Sequence, residues 1–387
     1  MKLLNLLLVA ALAAAATSCS DNDEPAGNTG GLSDKEKTLQ AATNDYVTYT
    51  VLPTYKSMAD ASIELYDLCV AIKDKWHAGT LTTADVAAAG MAWKTSRKSW
   101  ELSEAFLFGP AAQHNIDPHI DSWPLDKAAM DELLSAIRSG KSWSIDNNGG
   151  YGLLGFHSIE YMLFELTADG TGSLTHNTGY TAEELEYLMA VAEDLRNQCV
   201  LLETCWAGNA AVGAEKNSIL DDAELGFGEE YSSEMINAGQ AGSRFKTYQA
   251  VAEEIIQGCI DIADEVGNTK IGRPYSGSTL EDRNYIESPY SLNSIEDFVD
   301  NIESIRNSYC GMRSGLHSIS DYVKSVDPSA DAALRKAIDD AVAAISAIPE
   351  PFALHASDQV TATAVTVVGT ALVDALEKVA TVINERN

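Results

Sequence analysis

Apolar residues along this chain recur mostly at a spacing of three and four, the period of a helix packed on one face. From Lys35 to His77 the pattern predicts an amphipathic helix that Pro53 kinks or splits. Thr82 or Thr83 caps a second helix, which runs to Phe108 and stops at Gly109-Pro110. Leu125-Asp126 opens a short helix to about Arg138, Asn147-Asn148-Gly149-Gly150 reads as a turn, and Thr167 to Gly179 as a Gly/Thr loop. Thr181, with Glu184 three residues on, forms a capping box for a long helix to about Trp206. The pattern weakens from Gly208 to Gly242 and returns from Ser243 to about Val266. A polar loop from Gly267 to Asn293 precedes a helix capped by Ser294 and running to about Val323. Pro328 starts another, Pro349 and Pro351 interrupt it, and Asp358 to Glu385 finishes the chain. Strand-like alternation is scarce. The prediction is an all-α fold of two helical bundles, 35–207 and 243–387, joined by 208–242. A weak echo between Thr82–Gly109 and Ser294–Gly315 suggests that the bundles are related: each has a cap, a long amphipathic helix and an aromatic-plus-Arg stripe.

One helix departs from the one-sided pattern. Leu153, Leu154, Phe156, Ile159, Met162, Leu163 and Phe164 point in all directions, so the segment is predicted to be buried. It nevertheless carries His157 and Glu160, three apart and therefore neighbours on one face. A buried carboxylate is costly unless it is paired, hydrogen-bonded or bound to a metal. On the Thr83–Phe108 helix, Trp93, Arg97, Trp100, Glu104 and Phe108 share one stripe, with Glu101 at its edge. Two readings stay open. Arg97 and a carboxylate form a buried structural pair, or Glu104 and Glu101 join His157 and Glu160 in one polar site. Two ligands do not hold a metal. A cation needs about four to six, so Glu101, Glu104 or Asp121 must contribute.

The amino terminus adds a location. Lys2 and the apolar run Leu6–Ala16 fit a secretory leader, too short to span a bilayer comfortably. Ala16-Thr17-Ser18-Cys19 resembles a bacterial lipoprotein cleavage site, giving a signal peptide at 1–18, lipidation on Cys19 and a flexible linker at 19–34. The acidic stretch Ser20–Glu24 resembles a lipoprotein surface-export signal, and a plain solvated tether accounts for the same residues. The expectation is an envelope protein held at the outer membrane through the lipid on Cys19, with surface exposure as one of its two orientations.

Composition narrows the partners. Lys and Arg number 26 against 57 Asp and Glu, a formal charge of -31, which argues against nucleic acid and against adsorption to anionic lipid. Cys69, Cys199, Cys205, Cys259 and Cys310 are widely spaced in helical patterns and read as buried free thiols. The chain has no His-Glu-x-x-His, Gly-x-Ser-x-Gly, phosphate loop or dinucleotide fingerprint. His114 and His119 flank an irregular segment from which they could reach a site, but they, like His77, His176, His317 and His355, read as solvated or hydrogen-bonded.

Several segments together resemble the imelysin-like proteins. They are Gly155-Phe156-His157-Ser158-Ile159-Glu160-Tyr161, Ser96-Arg97 through Trp100-Glu101, Ser103-Glu104-Ala105-Phe106 and Phe108-Gly109-Pro110. Asp121-Ser122-Trp123-Pro124-Leu125-Asp126, Glu287-Ser288-Pro289-Tyr290-Ser291, Asn301-Ile302 and Tyr309-Cys310-Gly311 also fit. The resemblance implies two related helical bundles with a functional cleft between them. It also implies a link to iron acquisition, since the family includes the lipoprotein component of a ferrous-iron uptake system. The family's Gly-x-His-x-x-Glu motif falls on Gly155, His157 and Glu160. On this basis His157, Glu160, Glu104 and Glu101 are the candidate metal ligands, and Arg97, Asp121 and Trp123 the candidate ligand contacts. Iron is the expected ion, with zinc or calcium as alternatives, and an iron-transport protein is the expected partner. Two rival functions follow. One is a metallopeptidase, for which the chain shows no evident nucleophile or second zinc histidine. The other is a non-catalytic interaction or glycan-binding surface protein.

Overall fold

The computed structural model describes residues 31–145 and 150–385. The leader, Cys19 and the acidic stretch after it lie outside the described residues, as do Asn147–Gly149 of the expected turn.

Among the described residues the regular structure is helical apart from one antiparallel hairpin, β1 (Phe164–Leu166) with β2 (Ser173–Thr175), whose second strand lies in the expected Gly/Thr loop. The helices that build the architecture are α1 (Asp34–Tyr46), α2 (Leu52–His77), α3 (Thr83–Glu101), α4 (Gly155–Leu163) and α5 (Ala182–Ala207), then α6 (Tyr248–Asp264), α7 (Ser294–Cys310), α8 (Pro328–Ser346), α9 (Gln359–Thr366) and α10 (Val373–Asn384). Helix α2 packs against α3 and α5, and α4 fits between α3 and α5. Farther along the chain, α6 packs against α7 and α10, and α8 against α7 and α10. Helix α1 leaves its sequence neighbours and lies on α6. The two groups meet where α3 crosses α7, and where the 3-10 turn Glu104–Phe106 presses on α6 and α7.

Local chemistry explains most of the boundaries. At the start of α3, Thr82 and Asp85 exchange the reciprocal bonds of a capping box, and Thr181 and Glu184 do the same for α5. Pro53 sits in the first turn of α2, directly after the π turn Val47–Val51 through which α1 runs on into α2. The run is therefore adjusted just before the proline and continues beyond it.

Two helices end earlier than the periodicity predicts. Helix α3 stops at Glu101, because the Ser103 hydroxyl and N–H both turn back to the Trp100 carbonyl at 2.7 Å and tighten the chain into the 3-10 turn. Glu104 thus leaves the α3 stripe and faces α6. Helix α7 ends at Cys310, with Gly311 at φ 78°, and a separate helix, Ile319–Val326, is restarted by a Ser318–Asp321 capping box. The stretch expected as a polar loop from Gly267 starts inside a π turn, Glu265–Lys270, and buries Lys270.

Candidate functional site

The junction of the two groups is built of charge. Arg97 on α3 is fully buried. Its guanidinium pairs with Asp121 and with Glu101 one turn on, and meets Glu287 at 2.6 Å and Asp297 at 3.4 Å. Asp121 follows the short helix Ile116–Ile120, Glu287 lies in the connector before α7, and Asp297 is on α7 itself. One side chain thus ties three segments together. Lys270, 1% exposed, reaches Glu287 at 3.1 Å, Glu104 at 3.6 Å and Glu101 at 3.7 Å, and its ammonium lies 5.2 Å from the Trp123 ring centroid. The α7 side chain Asn301 donates to the Glu101 carboxylate, and Trp100 Nε1 donates to Asp121 at 2.7 Å.

The His157–Glu160 pair adjoins this cluster. His157 is 3% exposed and Glu160 is fully buried, as the all-round apolar helix requires. Glu160 Oε1 accepts from the backbone N–H of Tyr290 at 2.9 Å and of Ser291 at 2.7 Å, and from the Ser291 hydroxyl at 2.7 Å. Its other oxygen lies 3.3 Å from His157 Nδ1. Glu160 therefore clamps the connector before α7 onto α4 and orients the imidazole. His157 Nε2 lies 3.1 Å from Asp121 Oδ1 in an ionic contact that is poorly angled for a hydrogen bond. Glu287 Oε2 is buried with no hydrogen-bond partner.

Gly155 explains how Asp121 is brought to His157. It opens α4 at φ 72°, and a Cβ there would lie 2.0 Å from the Ile120 carbonyl oxygen. Only glycine lets α4 start this close to the residue before Asp121. Across the junction, a Cβ on Gly258 of α6 would lie 2.3 Å from the Ala105 carbonyl, so α6 touches the turn that carries Glu104.

Burial of so many like charges leaves its mark on their titration. Glu101, Glu104, Asp121, Glu160, Glu287 and Asp297 are six buried carboxyl groups around three basic side chains, Arg97, Lys270 and His157. Burial pushes Glu101, Glu104 and Asp297 up, against the pull of Arg97 or Lys270. Burial also opposes ionisation of Asp121, but Arg97 and the His157 contact overcome it and hold that carboxyl below its usual range. The His157 ring is disfavoured as a cation by burial, yet Asp121 and Glu160 outweigh that and lift it to about 9.

Above His157 and Glu160 is a cavity of ≈ 240 Å³ lined by Trp123, Ile286, Pro289 and Tyr290. That is below the roughly 300–1,000 Å³ of pockets that enclose drug-sized ligands. A donor atom from each of Asp121, His157 and Glu287 lies within 4.8 Å of the other two, and the trios Glu101–Glu104–Asp121 and Glu101–Glu287–Asp297 are equally close. The donors are imidazole and carboxylates, a set suited to ferrous iron, zinc or another divalent ion.

The structure gathers the candidate metal ligands and ligand contacts: Arg97, Glu101, Glu104, Asp121, Trp123, His157 and Glu160. Glu160 is occupied by backbone donors, and Glu104 faces Lys270. His114 and His119 do not reach the cluster and instead pair with Glu229 and Asp194. Lys270, Glu287, Ser291 and Asp297 were not singled out as site residues. For Glu287 and Ser291 the available signal was the matching segment Glu287–Ser291 itself.

The comparisons with known proteins agree in direction. The chain is 28% identical over 309 residues to iron-regulated protein A of Synechococcus elongatus, covering 79% of this chain and 75% of that one. A crystal structure of an iron-regulated protein A precursor from Parabacteroides distasonis superposes with a TM-score of 0.75 at 27% identity, over 93% of this chain and 98% of that one. An imelysin-like protein from Psychrobacter arcticum shares the fold, with a TM-score of 0.58 at 16% identity over 90% of this chain and 94% of the other. The family model described as Imelysin matches residues 34–383, and the chain belongs to the imelysin family.

Proposed function

We propose that this protein is a lipid-anchored envelope protein that binds a divalent metal ion, iron as cargo, where its two helical groups meet, and that it serves iron uptake. The observation that carries the reading is the mismatch in the buried cluster. Its carboxyl groups outnumber its basic side chains, while His157 Nε2 and Glu287 Oε2 are buried without hydrogen-bond partners. A divalent ion among Asp121, His157 and Glu287, whose donor atoms already converge, would bring positive charge to these carboxylates. Glu160 would act as the second partner that fixes the imidazole, a role that carboxylates and carbonyls commonly play behind histidine ligands. Arg97 and Lys270 would hold the remaining carboxylates in place. The names of the iron-regulated relatives support iron over zinc or calcium.

Arg97 bridging several carboxylates also fits a second reading, in which the cluster is purely structural and the protein is a non-catalytic surface-interaction or glycan-binding protein. Anaerobic calorimetric titration with ferrous iron separates the two. Binding weakened more than tenfold by His157→Ala and by Glu287→Gln, about 1.4 kcal/mol or more, supports the metal site. Folded variants that bind iron as the parent does would leave the structural network.

A further inference from the structure

Away from this cluster, three separate segments bring a different set of donors together. His114 follows the short helix Pro110–Gln113, and its N–H closes that turn on the Pro110 carbonyl at 3.0 Å. Cys205 lies in the last turn of α5, and Glu229 in the stretch leading to the helix Tyr231–Ile236. His114 Nε2 lies 2.5 Å from Glu229 Oε1, and one donor atom from each of His114, Cys205 and Glu229 lies within 4.8 Å of the other two. The His114 ring is stacked on Phe227, with centroids 3.6 Å apart and planes 6° apart, which fixes the direction of its nitrogens.

We propose that His114, Cys205 and Glu229 form a second cation site, for a borderline-soft divalent ion of the zinc type. A thiol, an imidazole and a carboxylate are the three donor classes that zinc accepts, and three protein ligands leave a position for water. The thiolate distinguishes this site from the all-oxygen-and-nitrogen cluster at the junction and selects against calcium and magnesium. Access is also provided. Cys205 is 2% exposed, but the side chains of His114 and Glu229 are 17% and 22% exposed, so an ion can enter from solvent and meet a sheltered sulfur. On binding, the Cys205 S–H and any proton on the coordinating His114 nitrogen pass to solvent, and the thiolate, that nitrogen and the Glu229 carboxylate become the ligands of the ion. Burial and the neighbouring Glu229 keep the thiol protonated until then.

Cobalt(II) is the probe, because a cobalt–thiolate bond gives a near-ultraviolet charge-transfer band that imidazole and carboxylate ligands do not. Titration of the purified, metal-stripped protein with cobalt beyond two equivalents, enough to fill the junction as well, is expected to produce that band, and zinc to abolish it by displacement. Cys205→Ser should remove the band, and His114→Ala and Glu229→Gln should each raise the cobalt dissociation constant at least tenfold. Circular dichroism checks that each variant is folded. His157→Ala should keep the band, so failure at the junction does not decide this site. A folded parent protein without the band, or a band that survives Cys205→Ser, overturns the proposal.

Discussion

At the scale of single residues, His157 is where folding and titration meet. Its folded-state pKa of about 9 lies above the ordinary 6.5, so the charged ring stabilises the metal-free protein. That contribution is fully present below pH 6.5 and is lost as the pH rises through about 9. Thermal midpoints measured from pH 6 to 10 should fall over this window, and His157→Gln should flatten the decline. A second expectation concerns Gly155. The left-handed backbone alone costs an alanine about 1–3 kcal/mol, and the contact with the Ile120 carbonyl adds to it. Denaturant titration of Gly155→Ala should show at least that loss, whereas an unchanged midpoint would mean that the α4 start tolerates a Cβ. Much of this site was legible from the sequence, because a buried helix bearing a charge announces a partner. The helical stripe of α3 likewise exposed Arg97 and Glu101. Lys270 and Asp297 were not legible. Lys270 sits in a stretch without periodicity, where a lysine ordinarily faces water. Asp297 occupies the first turn of α7, where an acid is explained by the helix dipole alone.

At the scale of elements, α4 links core to site. Leu163, Ile159 and Phe156 are all fully buried on the helix that carries His157 and Glu160. Truncating Leu163 to alanine should cost about 2–5 kcal/mol by equilibrium unfolding, the range for a buried leucine. A loss under 1 kcal/mol would show that α4 packs more loosely than its burial indicates. The elements themselves follow from capping and period: the Thr82 and Thr181 capping boxes stand at the predicted places. The endings of α3 and α7 do not follow from period, since apolar spacing continues past both. A serine hydroxyl turning back on Trp100 ends one, and a left-handed Gly311 ends the other. The hairpin β1–β2 was invisible for a similar reason. Strands of three residues are too short to establish an alternation.

At the scale of the molecule, the two helical groups meet over ion pairs as well as over apolar side chains, so whatever enters the junction is felt by both. The formal charge of -31 surrounds this junction with a field that draws cations toward it. If Cys19 carries the lipid, Cys19→Ala should move the protein from the membrane to the soluble envelope fraction. A variant that stays membrane-bound, with no lipid on the parent protein, would remove the anchor from the proposal. On this reading a metal ion binds at the junction. The most direct test is an anomalous difference map at the iron edge, from crystals of the full chain grown anaerobically with ferrous iron. The predicted result is a peak within bonding distance of Asp121, His157 and Glu287, absent in crystals of His157→Ala. A map with no peak there, and with Arg97 and Lys270 holding the same carboxylates, would contradict it.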